Sequence, residues 1–200
     1  MATPQNHARG RGRPRDQAAR QRILKAALDL MEEVAFAQVT AEAIAGRAGV
    51  SKATVYRWWP NKAAVVIEAF RESVAPELPQ RDTGSLREDL TAQVRNFARV
   101  LSGPGGRMLR SFVVAARSDP EVAAAFRTIW SNPRRAEAKE MLRQKQARGQ
   151  LRKDADLDLV LDSLYGPLYY RFLVKNEPPS RKYAEDLAEL VIAGLAGSHP

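Results

Sequence analysis

The sequence predicts an all-α protein. Apolar residues recur at spacings of three and four along most of the chain, which is the period of an amphipathic helix. Capping residues precede these stretches, and no stretch shows the alternation of a β-strand. The pattern divides the chain into a unit of three short helices over 16–75 and a larger helical domain over 85–197. A polar, proline-containing linker joins the two, and a basic arm over 1–15 precedes them.

Residues 40–62 contain two short helices joined by a tight turn. Thr40 and Ser51 stand at N-cap positions, where a hydroxyl can accept a hydrogen bond from a free backbone N–H. Gly49 falls where the first helix must end, and glycine tolerates the positive φ that such a turn often needs. Pro60 ends the second helix because the residue before a proline is pushed out of α geometry. These spacings predict a helix-turn-helix.

The outward face of the second helix suits DNA. Cations and hydroxyls reach phosphates, whereas short side chains allow a helix to enter the major groove. We expect Lys52 and Ala53 at base edges, and side chains such as that of Tyr56 at phosphates. The full set predicted to contact DNA is Thr40, Lys52, Ala53, Thr54, Tyr56, Arg57, Trp58 and Lys62. The alternative is an ordinary helical hairpin whose second helix is solvated.

The charge of the chain favours a polyanionic partner. The formal net charge is +9 and the pI is about 10.2. Seven basic side chains and one acid fall within the first 27 residues, at the end that carries the helix-turn-helix. Alternating Gly, Arg and Pro cannot build a core, so 1–15 is predicted to be a disordered arm. We expect Arg11, Arg13 and Arg15 to enter the minor groove; the alternative is a solubilising tail.

Several functional classes are excluded by composition. The chain has no cysteine, and its two histidines, His7 and His199, lie in the end segments. It also lacks a glycine-rich phosphate loop after a strand, so we expect no enzyme, no cofactor and no metal site. No segment has the length of a membrane span or the pattern of a signal peptide, and we expect a cytoplasmic protein.

The last two helices, which begin after Asp156 and Ser180, are apolar on more than one face. In so small a domain the second face is most simply covered by a partner subunit, so we expect a homodimer. The residues predicted at the dimer interface are Leu161, Leu164, Leu168, Leu187, Leu190 and Val191. The seventh helix contains Pro133, which either kinks it or splits it.

The helix-turn-helix resembles that of the TetR family of transcriptional regulators. The family pattern is Ala-Gly-Val-Ser, two residues, Thr, an apolar residue, Tyr, then an aromatic, a short break and Lys; here it runs from Ala48 to Lys62. The chain departs from it with Ala53, where glycine is common, and with Trp58-Trp59, where His or Tyr followed by Phe is common. A second stretch, 149–171, is similar to one subgroup of the effector domains. The resemblance implies an all-helical dimer whose last two helices form a four-helix bundle with their mates.

The resemblance also implies a ligand pocket among helices five to eight. Plausible lining residues, each of which could instead be plain core, are Phe97, Met108, Phe112, Trp130, Tyr165 and Tyr169. We therefore expect a homodimeric repressor that binds a palindromic operator in double-stranded DNA and is released by a small apolar or aromatic effector. The alternative is an architectural DNA-binding protein without an effector, which would not need so large a C-terminal domain.

Overall fold

The structure is a computed structural model, and it describes residues 16–195. Nine helices cover this part of the chain: α1 (Gln17–Glu33), α2 (Ala41–Ala48), α3 (Lys52–Trp58), α4 (Lys62–Val74), α5 (Leu86–Ser102), α6 (Pro104–Ala115), α7 (120–147), α8 (157–174) and α9 (Arg181–Leu195). Short 3₁₀ turns lie at Phe36–Gln38 and Ala75–Glu77. Residues 16–195 contain no strand, and the predicted all-α class is confirmed. The basic arm with Arg11, Arg13 and Arg15 lies outside the described residues.

Two of the longer helices contain a turn of π geometry. In α7, the segment Phe126–Ser131 is π-helical and passes directly into an α-helical segment, Asn132–Ala147. Pro133 therefore does not split this helix. Proline cannot donate to the carbonyl four residues earlier, and the wider π turn next to it accommodates the missing bond. In α8, Pro167 lies inside the α-helical part and a π segment, Tyr170–Val174, follows it.

The helix starts follow the capping residues of the sequence. At most of the helix starts the side-chain oxygen of the preceding residue accepts a hydrogen bond from a backbone N–H of the first turn. The N-caps are Asp16, Thr40, Ser51, Ser85, Asp119 and Asp156, and Ser180 accepts from the backbone N–H of Tyr183. These local predictions are confirmed because a cap depends only on a few neighbouring residues.

The N-terminal unit is held together by a polar contact as well as by its apolar core. Trp59, at the end of α3, is buried and donates its indole N–H to Glu68 of α4 at 2.5 Å. Arg20 of α1 pairs with the same carboxylate and also with Glu72 at 2.6 Å. This network joins α1, α3 and α4, so the orientation of α3 is fixed from two sides.

Four buried rings connect the N-terminal unit to the C-terminal domain. Phe36 lies in the 3₁₀ turn before α2, and its ring centroid is 5.7 Å from that of Phe112 in α6. Phe112 lies 5.4 Å from Phe70 of α4, which lies 4.8 Å from Trp130 of α7. These separations are those of favourable aromatic pairs. We call Phe36, Phe112, Phe70 and Trp130 the aromatic chain.

A buried ion cluster, which the sequence did not predict, binds the linker to the C-terminal domain. The Lys145 side chain is 1% exposed, and its Nζ lies 2.5 Å from Asp89 Oδ2 and 2.9 Å from Asp82 Oδ1. Asp89 also accepts from the backbone N–H of Thr83 at 3.0 Å, and Asp82 pairs with Arg148 at 2.7 Å. Hydrogen bonds from Arg148 and Lys145 hold the pKa of Asp82 well below its usual range. The cluster joins the linker, the start of α5 and the end of α7.

We predict that Lys145→Ala destabilises the fold by about 3–5 kcal/mol, because it leaves the Asp89 carboxylate buried without a counter-charge. Urea denaturation followed by circular dichroism measures this free energy of unfolding. Arg143→Ala is the matched control: its cation lies on the same helix but is exposed and pairs with the exposed Glu140. The control should unfold at nearly the wild-type midpoint. Equal midpoints for the two variants would contradict the role given to the cluster.

Candidate nucleic-acid interface

The turn between α2 and α3 has the geometry that the sequence predicted. Gly49 has a φ of 64°, in the left-handed region that favours glycine. The backbone N–H of Val50 donates to the carbonyl of Ala45 at 3.0 Å, and that of Gly49 donates to Gly46 at 3.2 Å. This pair of bonds satisfies the carbonyls at the end of α2. The path from α2 into α3 is therefore fixed by backbone hydrogen bonds.

The residues of α3 divide into an inner and an outer face. Val55 is buried, whereas Lys52, Ala53, Tyr56 and Arg57 are exposed. Lys52 Nζ pairs with a carboxylate of α2, that of Glu42, and lies 5.6 Å from the centroid of the Tyr56 ring. The hydrogen bond to Glu42 raises the pKa of Lys52, so this amine stays charged. Since an exposed ion pair is weak, a phosphate can replace the carboxylate.

Three further predicted contacts differ in how accessible they are. Thr40 is exposed at the start of α2, although its hydroxyl already accepts from the backbone N–H of Ala43 at 3.0 Å. Thr54 is half-buried, and its hydroxyl lies 2.9 Å from that of Ser51. Trp58 is also half-buried, with its ring packed against Trp59. Thr54 and Trp58 therefore present only part of their surface to a partner.

Lys62 does not point towards the outer face, and we correct its predicted role. Its Nζ donates to the carbonyl of Val39 at 2.7 Å and lies 3.4 Å from that of Ala37 and 3.5 Å from that of Phe36. An ammonium has three donors, and these carbonyls occupy them. Lys62 thus fastens the turn before α2 rather than reaching a phosphate.

Arg22 of α1 is a cation near the interface that the sequence analysis did not assign. Its Nε donates to the carbonyl of Ala48 at 3.3 Å, at the end of α2. Together with Thr54 and Arg57 it lines a concave surface between α1 and α3. The basic composition of this end of the chain was visible in the sequence. The contact of Arg22 with the end of α2, which places this arginine near Arg57, was not visible there.

A cavity of about 190 Å³ lies in the C-terminal domain, between α5, α7 and α8. Its lining residues are Phe97, Trp130, Ser131, Arg134, Arg135, Ala138, Leu161, Tyr165 and Tyr169. The lining thus includes four of the six residues predicted for the pocket. Met108 and Phe112 do not line it: both are buried, and Phe112 is 0% exposed against the rings of Phe36 and Phe70. Phe112 thus packs against the N-terminal unit instead of the cavity.

The two cavity tyrosines are neutral groups. Tyr165 donates its hydroxyl to Gln93 Oε1 at 3.1 Å, and burial raises its pKa to about 12. Burial also raises the pKa of Tyr169. Their rings pack around Phe97, with centroid separations of 5.6 and 5.4 Å. The cavity therefore offers several aromatic faces and no phenolate.

The predicted dimer residues divide between the core and the surface. Leu161, Leu164 and Leu168 are at most 1% exposed, so they pack inside the subunit and are not available to a partner. One apolar face of α8 is used for the internal core, which the helical wheel alone does not distinguish from an interface. Leu187 is also buried, at 8% exposure.

The outer face of the last two helices carries different residues. Leu190 is 73% exposed and Val191 is half-buried. They line a groove between α8 and α9 with Leu159, which is 64% exposed and which the prediction missed. The other apolar side chains of this groove are those of Ala155, Val160, Pro167, Leu187 and Leu195. An exposed apolar patch of this kind is typical of an interaction surface.

The two parts of the chain match two parts of one protein family. Residues 23–69 match the family described as bacterial regulatory proteins, tetR family. Residues 80–191, more than half of the chain, match the tetracyclin repressor-like C-terminal domain. The chain belongs to the TetR family of transcriptional regulators. The predicted membership is confirmed, and with it a DNA-binding helix-turn-helix and a regulatory, non-enzymatic function.

Relatives of this TetR-family regulator cover nearly its whole length. The HTH-type transcriptional regulator YdeS of Bacillus subtilis is 39% identical over 185 residues, which are 92% of this chain and 93% of the relative. The crystal structure of the TetR family transcription regulator SCO0332 is 38% identical, with a TM-score of 0.78 over 88% of this chain and 97% of that one. The flavonoid-responsive regulator FrrA shares the fold, with 22% identity and a TM-score of 0.66 over 90% of this chain and 96% of that one. Within residues 16–195, no helix is long and apolar enough to span a membrane.

For this TetR-family regulator we predict that Arg57→Ala weakens binding to DNA of every sequence. Loss of one phosphate contact should also lower the slope of log affinity against log salt by about one unit. Fluorescence anisotropy with labelled duplex at several salt concentrations measures both effects. Arg127→Ala is the matched control, since Arg127 is an exposed arginine of α7, in the C-terminal domain. An unchanged slope for Arg57→Ala, or the same loss in both variants, would remove Arg57 from the interface.

Proposed function

We propose that this TetR-family regulator is a homodimeric repressor that binds a palindromic operator and is released by a small aromatic or apolar effector. In this proposal 16–75 binds DNA, and 85–197 binds the effector and the second subunit. The observation that carries the proposal is the aromatic chain, because it connects the effector cavity to the turn before α2. Since the proposed partner is chromosomal DNA, we expect the protein to act in the cytoplasm.

The proposed DNA contacts come from the exposed part of the helix-turn-helix and from the arm. Lys52 and Ala53 are exposed at the start of α3, which suits contact with base edges. Tyr56, Arg57 and the exposed Thr40 would reach phosphates, with Thr54 and Trp58 at the margin. The arginines of the arm, Arg11, Arg13 and Arg15, precede α1 and would add contacts in the minor groove.

The proposed dimer is formed by the groove between α8 and α9. Two copies related by a two-fold axis would cover Leu159, Leu190 and Val191 of each subunit, of which Leu159 and Leu190 are otherwise exposed and Val191 is half-buried. Such symmetry presents two α3 helices to half-sites about one helical turn of DNA, or a multiple of it, apart. A palindromic operator follows from this arrangement.

The proposed release depends on the path from the cavity to α3. Trp130 lines the cavity and contacts Phe70, which belongs to α4. Phe112 contacts both Phe70 and Phe36, and Phe36 precedes α2. A ligand that moves the Trp130 ring would therefore change packing in contact with the helix-turn-helix. Such a ligand shifts the equilibrium between the DNA-binding and the released conformation only by the difference between its binding free energies for the two. This difference is typically about 1–3 kcal/mol.

The experiment that tests the DNA-binding part is selection of binding sites from a random duplex library with the purified chain. We expect enrichment of a palindrome with two half-sites at a fixed spacing. Enrichment of bent or A·T-rich DNA without a fixed motif would instead support the architectural alternative, in which no effector acts.

We predict that Leu190→Arg converts the dimer to a monomer, because it places a charge without a partner in an apolar interface. Size-exclusion chromatography with light scattering measures the mass. Val114→Arg is the matched control: Val114 is 62% exposed on α6 and does not line the groove. We expect this control to keep the wild-type mass. A monomeric wild-type chain at micromolar concentration would refute the proposed dimer.

We predict that Phe112→Leu weakens the coupling between effector and operator while both ligands still bind. Leucine has no ring, so the substitution removes the aromatic contacts with Phe36 and Phe70 but keeps an apolar side chain in the core. The measurement is the ratio of operator affinities with and without an aromatic ligand recovered by a thermal-shift screen; we expect this ratio to fall severalfold, within the usual range of about 5–150-fold for such couplings.

Phe172→Leu is the control for this experiment, since Phe172 is equally buried in α8 but is not part of the aromatic chain. It should keep the wild-type ratio. If Phe112→Leu keeps the full ratio, with its fold intact by circular dichroism, the aromatic chain does not transmit the signal.

A further inference from the structure

Two neighbouring arginines of α7 line the cavity, and only one of them is neutralised. Arg135 donates from Nε to Asp158 at 2.8 Å and from a terminal nitrogen to Asp162 at 2.7 Å, both on α8. Lys139 pairs with the other oxygen of Asp158 at 2.7 Å. Two cations therefore face two carboxylates, and the local charge of this group is balanced.

Arg134 has no such partner. Within residues 16–195, no carboxylate lies within ion-pair distance of its guanidinium, whose central carbon instead lies 5.6 Å from the centroid of the Trp130 ring. The side chain is half-buried at the cavity wall. Stacking on an aromatic face leaves the N–H donors of a guanidinium available in its plane. The cavity thus has one positive charge that no carboxylate of the described residues compensates.

The other polar groups of the cavity do not oppose an anion. Tyr165 and Tyr169 are neutral, as described above, and Ser131 contributes a hydroxyl that can donate. The carboxylates nearest to the cavity, Asp158 and Asp162, are held by Arg135 and Lys139. A negatively charged group beside Arg134 would therefore meet a cation and neutral donors.

The size and lining of the cavity limit the rest of the ligand, beyond its anionic group. A dry cavity of about 150 Å³ accommodates benzene. The cavity here, at about 190 Å³, has room for one ring with a small substituent. Its walls are the faces and edges of Phe97, Trp130 and Tyr169, which suit an aromatic ring better than a flexible chain.

We propose that the effector is a single-ring aromatic carboxylate whose carboxylate binds the guanidinium of Arg134 and whose ring packs between Trp130 and the cavity tyrosines. The planar fork of a guanidinium matches a carboxylate through two parallel hydrogen bonds. The ring would lie against Trp130, the member of the aromatic chain that lines the cavity. This inference rests on the proposed function, because it names the chemical class of the effector.

The test uses matched pairs of probes that differ in charge and hardly in shape. Benzoate is compared with benzamide, and 2-naphthoate with 2-naphthamide, by isothermal titration calorimetry with the full chain. We expect benzoate to bind roughly tenfold or more tightly than benzamide, as hydrogen bonds to a charged group are stronger than neutral ones. The naphthalene pair should show the same preference for the carboxylate, because it presents the same group to Arg134.

The variants Arg134→Gln and Arg143→Gln test which arginine is responsible for the preference for the carboxylate over the amide. Arg134→Gln keeps a long polar side chain and should remove the preference for the carboxylate, whereas Arg143→Gln, on the exposed side of the same helix, should keep it. Equal binding of benzoate and benzamide by the wild-type chain would overturn the inference, as would a preference that survives in Arg134→Gln. Absence of saturable binding of all four probes at millimolar concentration would overturn it as well.

A second readout separates this inference from the proposed function. Operator affinity is measured by anisotropy with and without benzoate at a saturating concentration. If benzoate binds through Arg134 but leaves operator affinity unchanged, the carboxylate site stands and effector release fails. If the neutral amides bind equally well and release the operator, effector release stands and the proposed carboxylate class fails.

Discussion

The packing of Phe112 between Phe36 and Phe70 is the contact on which the arrangement of the two domains depends. Phe112 is fully buried and belongs to the C-terminal domain, whereas Phe36 and Phe70 belong to the DNA-binding unit. Close-packed interiors transmit displacements instead of absorbing them. The linker is also attached to the C-terminal domain, since its Asp82 pairs with Lys145 and the backbone N–H of its Thr83 donates to Asp89.

The parts of the fold that depend on neighbouring residues could be predicted from the sequence. The caps at Thr40 and Ser51 and the left-handed turn at Gly49 each involve fewer than about five consecutive residues, and all three are present. The inner position of Val55 follows from the helical period in the same way. The exposed face of α3, and therefore most of the proposed DNA contacts, follows from the same local rules.

The parts that failed depend on residues distant in the chain. Lys62 was assigned to phosphate, yet it binds the carbonyl of Val39, 23 residues earlier. Lys145 pairs with Asp82 across 63 residues, and no periodic pattern marks such a pair. Leu161 was assigned to the dimer interface because a helical wheel shows which residues are apolar but not whether core or partner covers them. Tertiary packing decides all three.

In the proposed effector release, the strength of the aromatic contacts determines how strongly a small ligand could change DNA binding. Each aromatic pair contributes about 0.5–1.5 kcal/mol beyond the area it buries, and a typical coupling between effector and operator is about 1–3 kcal/mol. Loss or rearrangement of one or two ring contacts therefore matches the required energy without unfolding either domain. Trp130 is the ring at which this change would begin, because it is the member of the aromatic chain that lines the cavity. A ligand that filled the cavity without displacing this ring would bind and leave the operator occupied.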